Sequence, residues 1–357
     1  MKIGIDASYS LDASPSGVGV YSTGIIEALA DSFPDDRFRL CYRSNRFFRT
    51  MTRRRRARNT SRHLLEPFFL PRLQRRVQLF HGLNQRLPPC TFNAAVATFH
   101  DLFVMTADYS TPEFRRRFAQ IAKDTAERSD HIIAVSQYTA NLVAELLSYP
   151  SDRISVVHHG VERIPLIKEE EIRRFRKEHD LEAPFILHVG AIQKRKNIEG
   201  LLAAFEHIQD PTRLVLAGAE GYGGGAILER LEASSAAPRI RRFGYVDRPL
   251  LERLYRSANV LAFPSLEEGF GLPVLEAMSA GLPVVTSNRS ALAEVAGDAA
   301  LLVNPEDPYA LRIAIEGALE DGPTRRHLIE AGFKREGEFS WIKAAHETMR
   351  VYRRLVK

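Results

Sequence analysis

The chain has 357 residues, of which 45% are hydrophobic and 26% are charged. This length favours two domains over one, and the composition is that of a globular protein rather than of a disordered or fibrous one. We expect neither a signal peptide nor a membrane-spanning helix, because no apolar run approaches the ~20 residues that a span requires. Cys41 and Cys90 form no CxxC pair and predict no disulfide framework. These features predict a cytoplasmic protein.

The net charge of +6 is unevenly distributed. Residues 1–165 carry 23 basic and 16 acidic residues (net +7), whereas residues 166–357 carry 27 and 28 (net −1). Much of the excess lies in the arginine-rich residues 43–76, which also contain phenylalanines. A solvated loop explains this segment as well as a binding surface does. Mixed basic and aromatic content nevertheless favours an anionic membrane surface, and the segment resembles no nucleic-acid-binding module.

The elements of the first half begin with a buried strand at residues 2–7. A loop with Gly17 and Gly19 follows, and residues 20–31 have the apolar spacing of a helix. Short apolar runs predict four further strands, and a helical pattern at 112–129 lies between two of them. These strands are 77–81, 94–100, 131–136 and 154–160.

The second half repeats the alternation of strand and helix after a charged stretch. Its apolar runs predict strands at 184–192, 212–218, 260–265, 282–287 and 300–305. Strands that alternate with helices predict parallel sheets covered on both faces, so the chain belongs to the α/β class. Two series broken near residue 165 predict two Rossmann-like domains, with ligands bound beyond the carboxyl ends of the strands.

The stretch EEGFGLPVLE (267–276) places two carboxylates around a glycine turn and a helix start. Pro273 is predicted at the first helical position, so that Glu276 falls in the first turn and Glu268 stays on the loop. The helix N-terminus attracts phosphate, Gly269 and Gly271 allow a close backbone approach, and carboxylates accept hydrogen bonds from hydroxyls. A nucleotide sugar would satisfy all three features. A tight turn with an acidic first turn that only stabilises the helix is the alternative.

The longer stretch FPSLEEGFGLPVLEAMSAGLPVVTS resembles the signature of retaining glycosyltransferases of family 4, which have the GT-B fold. In that signature two glutamates are separated by seven residues, as Glu268 and Glu276 are. The resemblance implies that Glu276 holds the ribose hydroxyls of the nucleotide. It implies that the transferred sugar and the diphosphate contact Glu268 and the backbone of Gly269, Phe270, Gly271 and Leu272.

ILHVGAIQKRKNIEGLLAAF resembles the first strand, loop and helix of the same family's C-terminal domain. The resemblance implies that Arg195 and Lys196 contact the diphosphate, where fixed cations would stabilise the charge on the departing nucleotide. Many relatives have an additional arginine directly after the glycine equivalent to Gly190, but this chain has Ala191 there. Phosphate binding would therefore rest on fewer cations. A solvated charge cluster is the alternative interpretation.

Three further stretches match the family. VATFHDLF places His100 at a strand end that lies close to the transferred sugar in relatives, so His100 is expected to face the inter-domain cleft and to act in catalysis. SPSGVGVYS resembles the family's glycine-rich loop, which would bring Gly17 and Gly19 near the donor. The run that begins RRFGYVDRP would bring Tyr245 and Val246 near the base.

The resemblance implies two Rossmann-like domains with parallel sheets that face each other across a cleft. We expect an acceptor-binding and membrane-docking domain at 1–165, a nucleotide-sugar-binding domain at 166–335, and a final helix at 336–357 that crosses back to the first domain. The sequence contains no Asp-x-Asp and no zinc-like spacing, so we expect neither a metal ion nor a cofactor beside the donor.

The predicted reaction is transfer of a hexose from a nucleoside-diphosphate sugar with retention of the anomeric configuration. Variants of the motifs resemble bacterial mannosyl- and rhamnosyltransferases of polysaccharide assembly, which ranks GDP-mannose first as donor. The expected acceptor is a polysaccharide or a lipid-linked glycan. The expected location is the cytoplasm, with peripheral attachment to the inner face of the membrane through residues 43–76, and the oligomeric state stays open.

Three alternatives remain. A GT-B-fold nucleotide-sugar 2-epimerase shares the geometry but does not need a basic, aromatic surface. A nicotinamide-dependent dehydrogenase conflicts with Ser22, which stands where GxGxxG requires its third glycine, and with the second strand (37–43), which does not end in an acidic residue. A basic nucleic-acid-binding protein would leave the two-glutamate motif without a role.

Overall fold

The computed structural model describes residues 1–11, 16–48 and 57–356. These residues form two compact units, Met1–Gly160 together with Phe339–Lys357, and Val161–Glu338. The chain thus enters the second unit a few residues before the boundary expected near 165. Arg53 to Arg56, the centre of the arginine-rich run, lie outside the described residues.

The first unit is built on a seven-stranded, wholly parallel sheet. Its order is β3-β2-β1-β4-β5-β6-β7, so the chain first builds one wing and then crosses to the other side of β1. The strands are β1 (Lys2–Asp6), β2 (Arg37–Tyr42), β3 (Thr60–Leu64), β4 (Leu79–Gly82), β5 (Ala95–Phe99), β6 (His131–Ala134) and β7 (Ile154–Val156).

Helices cover this sheet, and the last one is contributed by the end of the chain. They are α1 (Gly17–Ser32), α2 (Ser44–Phe47), α3 (Leu70–Gln74), α4 (Phe103–Thr106), α5 (Pro112–Glu127), α6 (Gln137–Leu147) and, from the chain end, α15 (Trp341–Leu355). The prediction of a loop at Gly17 and Gly19 is wrong, because both residues lie in the first turn of α1. A glycine is required further along α1, where a Cβ on Gly24 would overlap the Trp341 ring of α15.

The second unit repeats the plan with six parallel strands in the order β10-β9-β8-β11-β12-β13. The strands are β8 (Phe185–Val189), β9 (Arg213–Ala217), β10 (Ile240–Gly244), β11 (Val260–Phe263), β12 (Val284–Ser287) and β13 (Leu301–Val303). The helices are α7 (Glu169–Glu178), α8 (Ile198–Phe205), α9 (Gly224–Ala233), α10 (Arg248–Ser257), α11 (Leu272–Ser279), α12 (Ser290–Ala296), α13 (Pro308–Leu319) and α14 (Pro323–Glu336).

The predicted α/β class and the two Rossmann-like sheets are confirmed. Every strand predicted from an apolar run is present, although most are shorter than the run. Strands β3 and β10 were missed, because each lies at a sheet edge and has no apolar run: β3 is TSRHL, and β10 has two arginines in IRRFG. Among the described residues, no helix combines the length and apolarity needed to span a bilayer.

Candidate functional site

The second sheet changes direction between two neighbouring strands, β8 and β11. From β8 the chain continues to β9 on one side, and from β11 it continues to β12 on the other, so the connections leave the carboxyl ends of these strands in opposite directions. Such a switch point leaves a crevice in which parallel sheets bind ligands. Arg195 and Lys196 lie in a 3₁₀ turn in the connection after β8. Glu268 lies on the connection between β11 and α11.

These three side chains form one buried ionic cluster. Arg195 Nη1 lies 2.8 Å from Glu268 Oε2, and Lys196 Nζ lies 2.5 Å from Glu268 Oε1. Lys196 Nζ also lies 4.5 Å from the centre of the Phe263 ring, within the range of a cation–π contact. Burial alone would raise the pKa of Glu268, but the charges of Arg195 and Lys196 outweigh it and lower that pKa to about 2. The Glu268 carboxylate is therefore ionised at neutral pH.

Backbone groups hold the two connections together. Arg195 Nη1 donates to the Glu267 carbonyl at 2.6 Å, and the Leu266 N–H donates to the Arg195 carbonyl at 2.8 Å. The N–H of Glu268 donates to Ser290 Oγ at 3.1 Å, which ties the loop to α12. The cations are thus fixed in advance, and fixed cations stabilise charge that develops on a leaving group without reorganisation at the moment of reaction.

Glu276 forms a second buried ionic contact on α11. The helix begins at Leu272, not at Pro273, so the prediction that Glu276 lies in the first turn is wrong; Glu276 is the fifth helical residue. Glu276 Oε1 lies 2.5 Å from Arg248 Nη1, and Oε2 accepts a hydrogen bond of 2.9 Å from Tyr255 Oη. Burial raises the pKa of Glu276, although Arg248 and Tyr255 oppose this shift.

The remaining predicted donor residues border these two carboxylates along the chain. Gly269, Phe270 and Gly271 complete the loop from Glu268 to α11, and Leu272 is the first residue of that helix. Gly271 has φ = +116°, a conformation that favours glycine, and it is the N-cap of α11.

Tyr245 and Val246 follow β10 and lie two or three residues before Arg248, which bonds to Glu276. The segment expected near the base is therefore connected to the carboxylate expected near the ribose. The sequence did not predict that Arg248 and Tyr255 contact Glu276. Both residues precede Glu276 by more than 20 positions, and no spacing pattern links them to it.

The predicted residues of the first unit are His100, Gly17 and Gly19. His100 directly follows β5, and burial lowers its pKa to about 4. At neutral pH the ring is uncharged, and because a carbonyl can only accept, His100 Nε2 carries the proton that is donated to the Leu83 carbonyl at 2.9 Å. The His100 ring packs edge-on against Tyr21, with centroids 4.7 Å apart, on the helix that Gly17 begins.

A hydroxyl–imidazole network lies beside His100. His81 Nδ1 is 2.6 Å from Tyr352 Oη, His81 Nε2 is 2.8 Å from Thr98 Oγ1, and Thr98 Oγ1 is 3.0 Å from Tyr21 Oη. The network joins α15, β4, β5 and α1. Burial lowers the pKa of His81 to about 3, with a smaller contribution from His100. All members of the network are therefore neutral at neutral pH.

Comparison with known proteins agrees with this geometry. The family model described as Glycosyltransferase Family 4 matches residues 16–163, and the model described as Glycosyl transferases group 1 matches residues 169–335. O-antigen chain mannosyltransferase B of Escherichia coli is 33% identical over 284 residues, which is 78% of this chain and 74% of that protein.

Two solved structures show the same fold over nearly the whole chain. Sucrose-phosphate synthase (tll1590) from Thermosynechococcus elongatus has a TM-score of 0.78 at 22% identity and 99% coverage of both chains. Anabaena Alr3699/HepE in complex with UDP-glucose has a TM-score of 0.74 at 16% identity, again with 99% coverage of both chains.

The fold, the switch-point site and these matches define a glycosyltransferase with the GT-B fold. The chain belongs to glycosyltransferase family 4, glycosyl transferases group 1. The resemblance inferred from the two-glutamate signature is therefore confirmed.

Proposed function

We propose that the protein is a retaining hexosyltransferase that moves mannose from GDP-mannose to a polysaccharide or a lipid-linked glycan. The observation that carries the proposal is the buried cluster of Arg195, Lys196 and Glu268 at the switch point of the second sheet. The similarity to an O-antigen chain mannosyltransferase supports mannose. The UDP-glucose complex of a protein with the same fold supports a nucleoside-diphosphate sugar as the donor class.

The proposed roles follow from charge and position. Arg195 and Lys196 hold the diphosphate and stabilise the charge that builds up as the nucleotide departs, without a divalent ion. Glu268 and the backbone from Gly269 to Leu272 hold the transferred sugar, and Glu276 accepts hydrogen bonds from the ribose hydroxyls. Tyr245 and Val246 contact the base.

The proposed chemistry needs no covalent nucleophile. The acceptor hydroxyl attacks from the face that the diphosphate leaves, through a short-lived oxocarbenium-like sugar, and the leaving phosphate oxygen takes the proton. His100, Gly17 and Gly19 are proposed to lie near the transferred sugar during this step. The neutral His100 ring suits an uncharged hydroxyl better than a phosphate.

In this proposal, residues 1–165 and the helix in 336–357 bind the acceptor and the membrane. Residues 166–335 bind the donor. Within residues 43–76, Phe48 is 72% exposed and Phe68 is 87% exposed, beside the basic residues of the same stretch. Exposed aromatics with cations support peripheral attachment to the anionic cytoplasmic face of the membrane. Co-sedimentation with anionic but not with neutral liposomes is the expected result, and equal sedimentation with both would contradict this attachment.

Calorimetry with GDP, UDP, ADP and dTDP, each with and without its sugar, tests the donor site, with NAD as a comparison. We expect one nucleoside diphosphate, GDP first, to bind tightly and to lose affinity in Glu276→Ala. Glu229→Ala, which removes an exposed glutamate from α9 of the same unit, serves as the matched control and should bind as the wild type does.

Each other outcome would change the proposal in a different way. Binding of NAD alone would remove the proposed donor site. Binding of GDP-mannose followed by inversion at C2 without transfer would indicate an epimerase. Tight binding of UDP instead of GDP would keep the glycosyltransferase site and change the donor.

A further inference from the structure

Arg248 links two carboxylates in the donor unit. It is the first residue of α10, and its Nη1 lies 2.5 Å from Glu276 Oε1 while its Nε lies 2.8 Å from Glu252 Oε1, one turn further along the same helix. The Arg248 side chain is 37% exposed, whereas that of Glu276 is 10% exposed. A partly exposed guanidinium is thus anchored by Glu252 and covers one oxygen of a buried carboxylate.

The surroundings of Glu276 make this contact important. A buried carboxylate is costly unless it is paired, and without a partner it takes up a proton instead. Two charged groups act on Glu276 directly: Arg248 favours the ionised form, and Glu162 disfavours it. Tyr255, the third partner, donates to Oε2 and is neutral, because burial and the charge of Glu276 raise its pKa well above the usual value.

The charge state of Glu276 matters for ligand binding. An ionised carboxylate accepts two ligand hydroxyls with charge-assisted hydrogen bonds, which are stronger than neutral ones. A protonated carboxyl would use one oxygen as a donor and would offer a weaker acceptor. The group that keeps Glu276 ionised and oriented therefore controls nucleotide affinity, even without contacting the nucleotide.

We propose that Arg248 is a positioning residue of the nucleotide site: held by Glu252, it fixes the Glu276 carboxylate at Oε1 and keeps it ionised for the ribose hydroxyls. This inference rests on the proposed role of Glu276 in the donor site. It adds a residue that neither the two-glutamate signature nor the glycine loop contains.

The test is the pH dependence of GDP binding, measured by calorimetry between pH 5.5 and 8.5. Affinity should fall as the pH falls through the pKa of Glu276, because protonation removes the acceptor. In Arg248→Met that pKa rises further, so the midpoint of the fall should move up by at least about one pH unit, and affinity at a pH below both midpoints should drop by up to about tenfold for each unit of that shift. Arg248→Lys keeps a positive charge, so its midpoint should lie between those of the wild type and Arg248→Met.

The matched control is Arg253→Met, which removes an exposed arginine from the same helix and should leave the midpoint unchanged. An identical midpoint in Arg248→Met and wild type would overturn the proposal. If Arg248→Met binds no GDP at any pH, the melting temperature decides: Arg248→Met/Glu276→Gln should melt higher than Arg248→Met, because the unpaired buried charge is gone. No recovery in the double variant would also overturn the proposal.

Failure of the proposed function has a different signature. If Glu276→Gln binds GDP with wild-type affinity at every pH, Glu276 is not the ribose acceptor, whatever Arg248 does. If the wild type binds another nucleoside diphosphate, that nucleotide replaces GDP in the titration and the expected shift is the same.

Discussion

Different kinds of polar group lie near the carboxyl ends of β4 and β5 in the first unit and of β8 and β11 in the second. In the first unit, His81, Thr98 and Tyr352 form a network of neutral hydroxyls and imidazoles. In the second unit, the buried carboxylates of Glu268 and Glu276 are paired with arginine and lysine side chains. The same parallel-sheet plan therefore supports a neutral buried network in one unit and an ionic site in the other.

The ionic site and the neutral network differ in what they can do. Fixed cations in a buried site compensate the charge of a diphosphate, whereas the members of the neutral network are fully buried, bond to one another and are proposed to be structural. The ionic site includes its own counter-charges, so burial of Arg195 and Lys196 does not leave them without compensation. The ionic site and the neutral network thus differ in electrostatics although both are built on parallel sheets.

The largest expected effect is a difference in acid stability between the units. The pKa values of His81 and His100 are lowered to about 3 and about 4, against about 6.5 in the unfolded chain. The unfolded state binds more protons between these values, so the first unit loses stability as the pH falls from 6.5. A histidine whose pKa is lowered to about 4 in the folded state reduces the stability by about 3 kcal/mol between neutral pH and pH 4.

The second unit should respond less to the same change. One of its histidines, His188, also has a pKa lowered to about 4, by burial and by Lys196. Glu268, with a pKa of about 2, loses its stabilisation only between about pH 4.5 and 2, and the raised pKa of Glu276 acts in the opposite direction. Hydrogen exchange of the full chain, read by segment from pH 7.5 to 4.5, should show the first unit opening first.

A matched pair of variants isolates the cause of this acid response. His81→Gln should weaken but not abolish the pH dependence of the first unit, because His100, His131 and His159 also have lowered pKa values. His207→Gln, at an exposed position of the second unit, should leave that dependence unchanged. Opening of both units at the same pH would mean that the neutral network does not set acid stability.

The next effect is the loss of turnover in Lys196→Ala. Removing the ammonium takes one of two cations from Glu268 and from the proposed diphosphate site. We expect turnover of GDP-mannose, measured as GDP release, to fall by about 10²–10³-fold, the usual cost of losing one fixed electrostatic contact.

Lys194→Ala is the control for this loss of turnover, because it removes an exposed lysine from the same three-residue turn. It should retain nearly full turnover. If Lys196→Ala also does so, the ionic cluster is structural and the electrostatic distinction between the units does not concern catalysis.

The sequence predicted the architecture more completely than the contacts. Apolar runs mark central strands because both faces of a parallel strand are buried, and the signature around Glu268 and Glu276 identified the family. The edge strand β10 was missed because residues such as Arg241 and Arg242 are exposed there. Pro273 indicated a helix start, and the helix begins one residue earlier, at Leu272.

The partners of the site could not be read from the sequence for a physical reason. Arg248 and Tyr255 precede Glu276 by 28 and 21 residues, and only the packing of α10 against the carboxylate brings them together. Likewise, Tyr352 meets His81 across 271 residues because α15 packs against the first unit. A polar residue within an apolar strand, such as His81 or Thr98, was the available signal for the neutral network.

The smallest expected effect is that of Tyr352→Phe, which removes only the hydroxyl bonded to His81 Nδ1 at 2.6 Å. The buried ring nitrogen then lacks that partner, which should lower the stability of the first unit by about 1–3 kcal/mol. Because this network is neutral and proposed to be structural, the kcat of donor turnover should stay within about threefold, far less than for Lys196→Ala. Thermal unfolding and kinetics on the same preparation measure both quantities.

Tyr309→Phe, at a tyrosine of the second unit that is 68% exposed, controls for the loss of a hydroxyl and should change neither stability nor kcat. A Tyr352→Phe variant with unchanged melting temperature and greatly reduced kcat would contradict this expectation. The network would then act on the reaction through His100, its neighbour across the Tyr21 ring. In that case the first unit would contribute to catalysis as well as the second, and the neutral network would have a role in the reaction.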